Sequence, residues 1–296
     1  MSIFGSPRSA PATHGPLVLL TGAPRSGTTL CCHLLDKVPG VVTLHEPMRV
    51  DRFLAAPAAA DVQALVERFA ARTRASLHER RAAVTKHVGG RIPDNPVSDE
   101  RDAHGERRRV TTRGEIDIGR DLAPGFTLVV KHPSLFTALL PSLAGRFDVY
   151  AIVRNPLAVL ASWNSVPFQV RDGRLPVVER LVPGFAAEMA RLPDVHARQV
   201  HAISVFFDRY AELLPAPRIL RYEDVVASHG RCLRAIAPAA ASLDEGLRSR
   251  NANPSYARES MRALAGRLIE SPGGWRRFYG ESDVAGLLGA ALASAE

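Results

Sequence analysis

Cysteine is scarce in this sequence, which has three cysteines among its 296 residues. Cys31 and Cys32 are adjacent and Cys232 is far from both, a spacing that fits neither a disulfide framework nor a set of metal ligands. The first 16 residues lack the apolar core of a secretory signal, and no apolar run is long enough to span a membrane. These absences predict a cytoplasmic protein with no membrane span and no metal site.

Lysine is also rare. It occurs only at positions 37, 86 and 131, so arginine supplies nearly all of the 38 basic residues. Against 30 acidic residues they give a formal net charge of +8, and an anionic ligand would account for part of this excess. Nucleic acid is the competing explanation, but the positive charge is spread along the chain and no run of aromatic residues accompanies it. We therefore expect an anionic small-molecule ligand and no nucleic-acid partner.

The length is that of one large domain. A chain of 296 residues can bury a single core, and no change of composition marks a linker between two halves. We predict a disordered N-terminal tail over residues 1–15 and one domain over residues 16–290. Within it, short apolar runs alternate with helical patterns, which predicts an α/β fold with a parallel sheet flanked by helices on both faces.

Strands are predicted at 17–20, 41–44, 128–131, 148–153 and 218–220. Helices are predicted at 28–37, 61–81, 134–144, 157–164, 195–214 and 256–269. Because ligands of such sheets bind at the carboxyl ends of the strands, the residues that follow each strand are the candidates for a functional site.

The first predicted strand runs into a loop bounded by two glycines. Gly22 and Gly27 permit a tight turn that presents backbone N–H groups, and a helix from Thr28 adds the positive end of its dipole. The spacing matches that of a Walker A phosphate loop, but position 28 holds threonine where that loop has lysine. The basic residue is Arg25, inside the loop. The segment therefore predicts a site for a 5′-phosphate anhydride other than an ordinary triphosphate.

A second anion site is predicted after the strand at 148–153. Arg154 comes directly before a helix whose first turn holds Pro156, and Ser162 lies on the same helix. Arg154 and Ser162 are therefore predicted to converge on one anion.

Three segments in this order resemble the sulfotransferases that use 3′-phosphoadenosine 5′-phosphosulfate (PAPS). Residues 21–30, with the pattern T-x-x-P-R-S-G-T-T-L, are similar to the family's 5′-phosphosulfate loop. Residues 154–162 match its 3′-phosphate motif R-x-P-x-x-V-x-x-S in register. Residues 273–278 (GGWRRF) resemble its C-terminal loop over the adenosine, and residues 220–224 (LRYED) add to the resemblance.

The resemblance implies the P-loop-like sulfotransferase fold, PAPS as donor and adenosine 3′,5′-bisphosphate as product. It also implies a set of donor-binding residues, namely Arg25, Ser26, Gly27, Thr28, Thr29, Arg154, Ser162, Tyr222, Arg276 and Arg277.

The predicted catalytic residues follow the second and third strands. Glu46 precedes Pro47, which fixes a turn that can aim the carboxylate at an acceptor hydroxyl. Lys131 and His132 follow the third strand, and the resemblance implies that Lys131 acts with Arg25 on the transferring sulfonate. Carbohydrate and many bacterial sulfotransferases have a similar glutamate as base, whereas cytosolic members have a histidine in a turn like that of His132. Both alternatives stay open here, with Glu46 preferred.

These residues predict in-line transfer of a sulfonate group from PAPS to a hydroxyl group of a small-molecule, lipid or carbohydrate acceptor. Arginine and lysine would neutralise the charge that a metal ion neutralises in triphosphate enzymes. Two other functions remain open, a small-molecule kinase and a non-catalytic nucleotide-binding protein.

Two segments are candidates for the acceptor site. Residues 85–125 are polar and lack periodicity, which predicts a loop or lid over that site. Trp163, Phe168 and Phe185 lie among prolines and predict an apolar acceptor pocket.

Overall fold

The computed structural model describes residues 15–56, 58–101, 103 and 107–293. Residues 1–14 of the predicted tail lie outside these ranges. The strands are β1 Leu17–Gly22, β2 Val41–His45, β3 Ala82–His87, β4 Val97–Arg101, β5 Arg107–Arg109, β6 Thr112–Asp117, β7 Thr127–Lys131, β8 Asp148–Val153 and β9 Ile219–Arg221. The α-helices are α1 Thr28–Asp36, α2 Val50–Leu54, α3 Ala59–Arg80, α4 Pro133–Ala138, α5 Leu140–Leu143, α6 Pro156–Asn164, α7 Pro176–Leu181, α8 Phe185–Arg191, α9 Val195–Leu213, α10 Tyr222–Ala227, α11 Arg258–Glu270 and α12 Glu281–Ala293.

Five strands of the described chain form a parallel sheet in the order β2-β7-β1-β8-β9. Alternate residues of β1 face opposite sides: Leu19 packs into one hydrophobic core, and Val18 and Leu20 into another. Helices cover both faces, which explains why these strands are apolar along nearly their whole length. The parallel α/β fold predicted from the sequence is confirmed, with each predicted strand found to within two residues at either end.

The two cores differ in the helices that build them. Helices α1 and α10 pack on one face and bury Cys31 and Cys32 there. On the other face α6 and α9 contribute large side chains, among them Trp163 and Phe207. The central sheet is therefore packed on both faces.

The predicted helix at 134–144 is wrong as one continuous element. It is divided into α4 and α5, with Pro141 in the first turn of α5. Proline lacks a backbone N–H and its ring clashes with the carbonyl of the preceding turn, so a helix cannot continue through it undisturbed.

Residues 82–117, here called the arm, hold two antiparallel ladders where an irregular loop was predicted. β3 pairs with β6, and β4 pairs with β5. The sequence hides these strands because β5 is three arginines and β6 is mostly polar, so no apolar alternation marks them. The arm is fixed to the central sheet at Thr85, whose Oγ1 accepts a hydrogen bond of 2.8 Å from His45 N–H at the end of β2.

Candidate active site

The loop between β1 and α1 has the form of a phosphate cradle. Ser26 N–H donates to Ala23 O at 3.0 Å, which closes the turn. Gly27 has a φ of +98°, and a Cβ there would lie 2.6 Å from the ring of Tyr222. Glycine is therefore required at position 27, both for its backbone conformation and for the close approach of Tyr222. The Ser26 hydroxyl is buried and has no hydrogen-bond partner within the described residues.

Arg25 adopts a left-handed conformation in the middle of this loop, with a φ of 72°. Its Nε donates to Ser162 Oγ at 3.1 Å, and its Nη2 donates to Asn95 Oδ1 on the arm at 3.1 Å. The pKa of Arg25 is lowered to about 10, chiefly by burial; Tyr256 opposes this shift, and nearby arginines, first Arg154, add to it. Since the guanidinium stays charged, positive charge is concentrated where an anion would offset it.

Arg154 connects the loop to the segment that precedes α11. Its Nη1 donates to Arg25 O at 3.0 Å, and its Nε donates to Asn251 Oδ1 at 2.8 Å. The guanidinium also stands over the ring of Tyr222, 4.6 Å from its centroid. Arg25 therefore contacts both Ser162 and Arg154. Their predicted convergence on one anion stays a prediction.

Glu46 lies beside Lys131 because the pairing of β2 with β7 continues one residue past β2. Glu46 N–H donates to Lys131 O at 2.8 Å. Lys131 Nζ then donates to Glu46 Oε1 at 3.0 Å and to Thr29 Oγ1 on α1 at 3.2 Å. The same ammonium group thus contacts both the helix that follows the glycine loop and the carboxylate of Glu46.

Two further groups contact that carboxylate. His45 Nε2 is 3.2 Å from Glu46 Oε1, and Lys86 Nζ on β3 donates to Glu46 Oε2. Burial favours the neutral form of Glu46, but Lys131, His45 and Lys86 together hold its pKa well below its usual range. Glu46 is therefore ionised at neutral pH.

His132 forms a hydrogen bond with the backbone of Met48, not with Glu46. Its Nε2 accepts a hydrogen bond of 2.9 Å from Met48 N–H, and its ring packs edge-on against Phe136. Burial lowers the pKa of His132 to about 3. Nε2 is thus already occupied as an acceptor, whereas the Glu46 carboxylate is partly exposed.

These groups border one cavity of about 550 Å³ at the carboxyl edge of the sheet. The predicted site residues that line it are Arg25, Gly27, Thr28, Thr29, Glu46, Lys131, His132, Arg154 and Tyr222. Ser26 lies buried in the loop, and Ser162 reaches the site through its bond to Arg25. The structure therefore assembles most of the predicted residues around a single space.

Arg276 and Arg277 are not brought to the cavity. Arg276 Nη1 donates to Glu281 Oε1 at 2.5 Å, and Arg277 Nε donates to Asp208 Oδ1 at 3.3 Å. The reason is Trp275, which directly precedes them in the motif and is fully buried in the core. Its burial anchors the segment so that both arginines pair with carboxylates outside the cavity lining.

Other residues that the sequence did not single out line the cavity instead. Asn95 and Arg107 come from the arm, and Arg248, Arg250 and Tyr256 come from the segment before α11. No motif marks them. Lys86 could have been noticed in the sequence, because only three of the 38 basic residues are lysines. In the structure, Lys86 and Lys131 both bind the Glu46 carboxylate.

Only one of the three aromatic residues predicted for an acceptor pocket lines the cavity. Phe168 lines the cavity, whereas Trp163 and Phe185 are buried in the core. Trp163 Nε1 donates to Pro24 O at 2.7 Å, so it supports the glycine loop from below.

The chain was also compared with known proteins. No family model matches the sequence, and no curated protein is similar to it. A sulfotransferase from Alicyclobacillus acidocaldarius is similar in structure, with 12% identity over 94% of this chain and 96% of that one and a TM-score of 0.42. The sulfotransferase domain of a Synechococcus olefin synthase has 16% identity over 96% and 98%, with a TM-score of 0.34. A Mycobacterium tuberculosis sulfotransferase has 13% identity over 87% and 77%, with a TM-score of 0.34.

Among the described residues, no helix combines the length and the apolar character needed to cross a membrane. In the same part of the chain, no group of three or more histidine, cysteine, aspartate or glutamate side chains could hold a metal ion.

Proposed function

We propose that this protein is a sulfotransferase that moves a sulfonate group from PAPS to a hydroxyl group of a small-molecule acceptor. One observation carries the proposal: a single cavity holds two sets of anion-binding groups together with a carboxylate paired to a buried lysine. One set is the glycine loop with Arg25, and the other is Arg154 with Arg248 and Arg250. A donor with one anionic group at each end of its nucleoside matches two such sets.

The residues present fit that donor. The loop offers to the 5′ end its backbone N–H groups, the side chains of Thr28 and Thr29, and the Ser26 hydroxyl, which has no partner among the described residues. Arg154, Arg248 and Arg250 would hold the 3′-phosphate as charge-assisted donors. When bound, PAPS supplies a sulfonate group already attached to a good leaving group.

The chain's own residues would then assist the transfer by fixed charge and by proton removal. Glu46 is ionised and partly exposed to the cavity, so its carboxylate is suited to accept the proton of the acceptor hydroxyl. Lys131 and Arg25 are held in place before the reaction and would offset the negative charge that grows on the leaving phosphate. The contact of His132 with Met48 supports a positioning role for that histidine rather than proton removal.

The site is less suited to the alternatives. A kinase of the Walker type places lysine at position 28, and here threonine stands there. Glu46 is held between two lysines at the edge of the cavity, where its carboxylate can accept a proton. Binding of a nucleotide alone does not require such a group.

The test first compares how two nucleotides stabilise the protein and then measures sulfonate transfer. Thermal unfolding is measured with adenosine 3′,5′-bisphosphate alone and with ATP plus magnesium, since a ligand that binds only the native state stabilises it by about 2.7 kcal/mol at 100 times its Kd. We expect the bisphosphate to raise the melting temperature and ATP with magnesium to have little effect. Transfer of labelled sulfonate from PAPS to a panel of hydroxyl compounds then separates an enzyme from a binding protein. Stabilisation by ATP with magnesium alone would support a kinase instead.

A further inference from the structure

The cavity wall is apolar where it is formed by the helices that come after Glu46 and His132 in the sequence. Val50 begins the helix that follows Glu46, and Leu135 lies in the helix that follows His132. Helix α7 contacts both of these helices. Further apolar lining beside these two helices comes from α7 and the segment before it, namely Phe168, Val170, Leu175, Pro176 and Val177. An acceptor whose hydroxyl reaches Glu46 therefore has its remaining surface against apolar side chains.

Arg109 faces this wall, and within the described ranges it has no carboxylate partner. The guanidinium of Arg109, on β5 of the arm, stands over the ring of Phe168, 5.2 Å from its centroid. Within the described chain no aspartate or glutamate forms an ion pair with it. Arg174 also lines the cavity, but Glu179 pairs with it at 2.7 Å and neutralises it. Among the described residues, Arg109 is thus a charge beside the apolar wall with no carboxylate partner.

Most of the other charged groups of the lining have a partner or an assigned role. Glu46 is paired with Lys131, and Asp99 pairs with Arg107 and with Nη1 of Arg250. Arg154 belongs to the proposed donor site, as do Arg248 and Arg250. A bound donor would therefore leave the charge of Arg109 unmatched.

We propose that the acceptor is an apolar or aromatic hydroxyl compound that also carries a carboxylate or similar anionic group, and that Arg109 binds this group. The inference rests on the proposed function and names its acceptor class. A guanidinium stacked on an aromatic ring is held flat, which suits bidentate binding of a carboxylate. A sugar would leave its hydroxyl groups unpaired against the apolar wall, and a cationic compound would be repelled by Arg109.

The test uses matched phenols with PAPS as donor. The acids are p-hydroxybenzoate, p-hydroxyphenylacetate and p-hydroxyphenylpropionate, which differ in the distance from hydroxyl to carboxylate. Their methyl esters are the neutral controls, and tyramine is the cationic one. We expect the best acid to exceed its ester in kcat/KM by about 10- to 100-fold, the effect of one hydrogen-bonded charge pair. Tyramine should be a poorer acceptor than any ester.

Two variants locate the effect. In Arg109→Gln, kcat/KM for the acid should fall much more than kcat/KM for the ester, so that the advantage of the acid disappears. Arg108→Gln, on the neighbouring residue that does not line the cavity, should keep the preference. Equal use of acids and esters by the wild type, or equal loss of both in Arg109→Gln, would overturn the assignment.

A separate measurement distinguishes failure of this inference from failure of the proposed function. If the protein is not a sulfotransferase, no compound of the hydroxyl panel is sulfonated, whether or not adenosine 3′,5′-bisphosphate stabilises the protein. If only the acceptor class is wrong, the bisphosphate stabilises the protein and a hydroxyl compound without a carboxylate is sulfonated. Binding of each acid and ester to the bisphosphate complex is therefore measured by calorimetry as well. Binding that does not depend on the carboxylate contradicts the inference even where turnover is absent.

Discussion

The ammonium group of Lys131 lies 3.0 Å from Glu46 Oε1 and is almost completely buried, whereas the carboxylate it contacts is partly exposed to the cavity. Burial lowers the pKa of Lys131, and Glu46 opposes that shift by favouring the charged ammonium. Each residue therefore keeps the other ionised. Removing one partner of such a pair leaves an uncompensated charge, so variants at the two positions require a stability measurement beside the activity assay.

Replacing Glu46 with glutamine tests the proposed base. Because general-base catalysis contributes about 10²- to 10⁴-fold, Glu46→Gln should lose turnover by a factor in that range. Its affinity for adenosine 3′,5′-bisphosphate, measured by calorimetry, should stay near the wild-type value. Turnover within a factor of three of the wild type would show that another group removes the proton.

The lowered pKa of Glu46 also predicts how stability depends on pH. A carboxyl whose pKa is lower in the folded state stabilises that state above its unfolded pKa, ordinarily 4.5, and this contribution is lost as pH falls through the folded value. The free energy of unfolding in urea should therefore decline below pH 4.5 more steeply in the wild type than in Glu46→Gln. Parallel pH curves for the two proteins would contradict the depressed pKa.

His132 is the alternative base, and its contacts predict a different phenotype. His132→Gln can still accept from Met48 N–H, so it should retain most of the activity and the wild-type pH profile between pH 5 and 8. His132→Ala leaves a buried N–H unpaired and should lower stability by about 1–3 kcal/mol. A His132→Gln protein that folds normally but is inactive at every pH would instead identify His132 as the base.

Arg154 and Arg276 provide a matched pair for the 3′-phosphate. Arg154→Ala should weaken binding of adenosine 3′,5′-bisphosphate by about 1.5–3 kcal/mol more than it weakens binding of adenosine 5′-phosphate, because only the former has a 3′-phosphate. Arg276→Ala should change neither affinity, since Arg276 pairs with Glu281 away from the cavity. Both affinities are measured by calorimetry. Equal losses for the two nucleotides in Arg154→Ala would count against a 3′-phosphate role.

Alanine variants of Gly27 and Gly40 distinguish the effect of backbone strain from an effect on the donor site. Both have positive φ, but a Cβ at Gly27 would meet the Tyr222 ring, and a Cβ at Gly40 would meet nothing within 4 Å. Gly40→Ala should cost about 1–2 kcal/mol of stability and leave activity intact. Gly27→Ala should in addition abolish binding of the bisphosphate, because Tyr222 must move from the loop. Normal binding by Gly27→Ala would show that the loop does not cradle the donor.

The central sheet and the glycine loop could be predicted because their signals are local. Short apolar runs identify buried parallel strands, and the spacing of Gly22 and Gly27 identifies a turn that presents N–H groups. Parallel strands end at one edge, so Arg25, Glu46, Lys131 and Arg154 were predicted to meet once their strands were found. The sequence by itself therefore determined the fold class and the edge of the sheet where the candidate site lies.

The tertiary structure decided which further residues reach that edge. Lys86 contacts Glu46 because Thr85 fixes the arm to the end of β2, a pairing between residues 40 positions apart that leaves no local pattern. Arg276 and Arg277 face away because the burial of Trp275 in the core fixes the direction of their segment. Side-chain direction depends on long-range packing, and arginine is so frequent here that residue type alone cannot distinguish a ligand-binding arginine from a surface one.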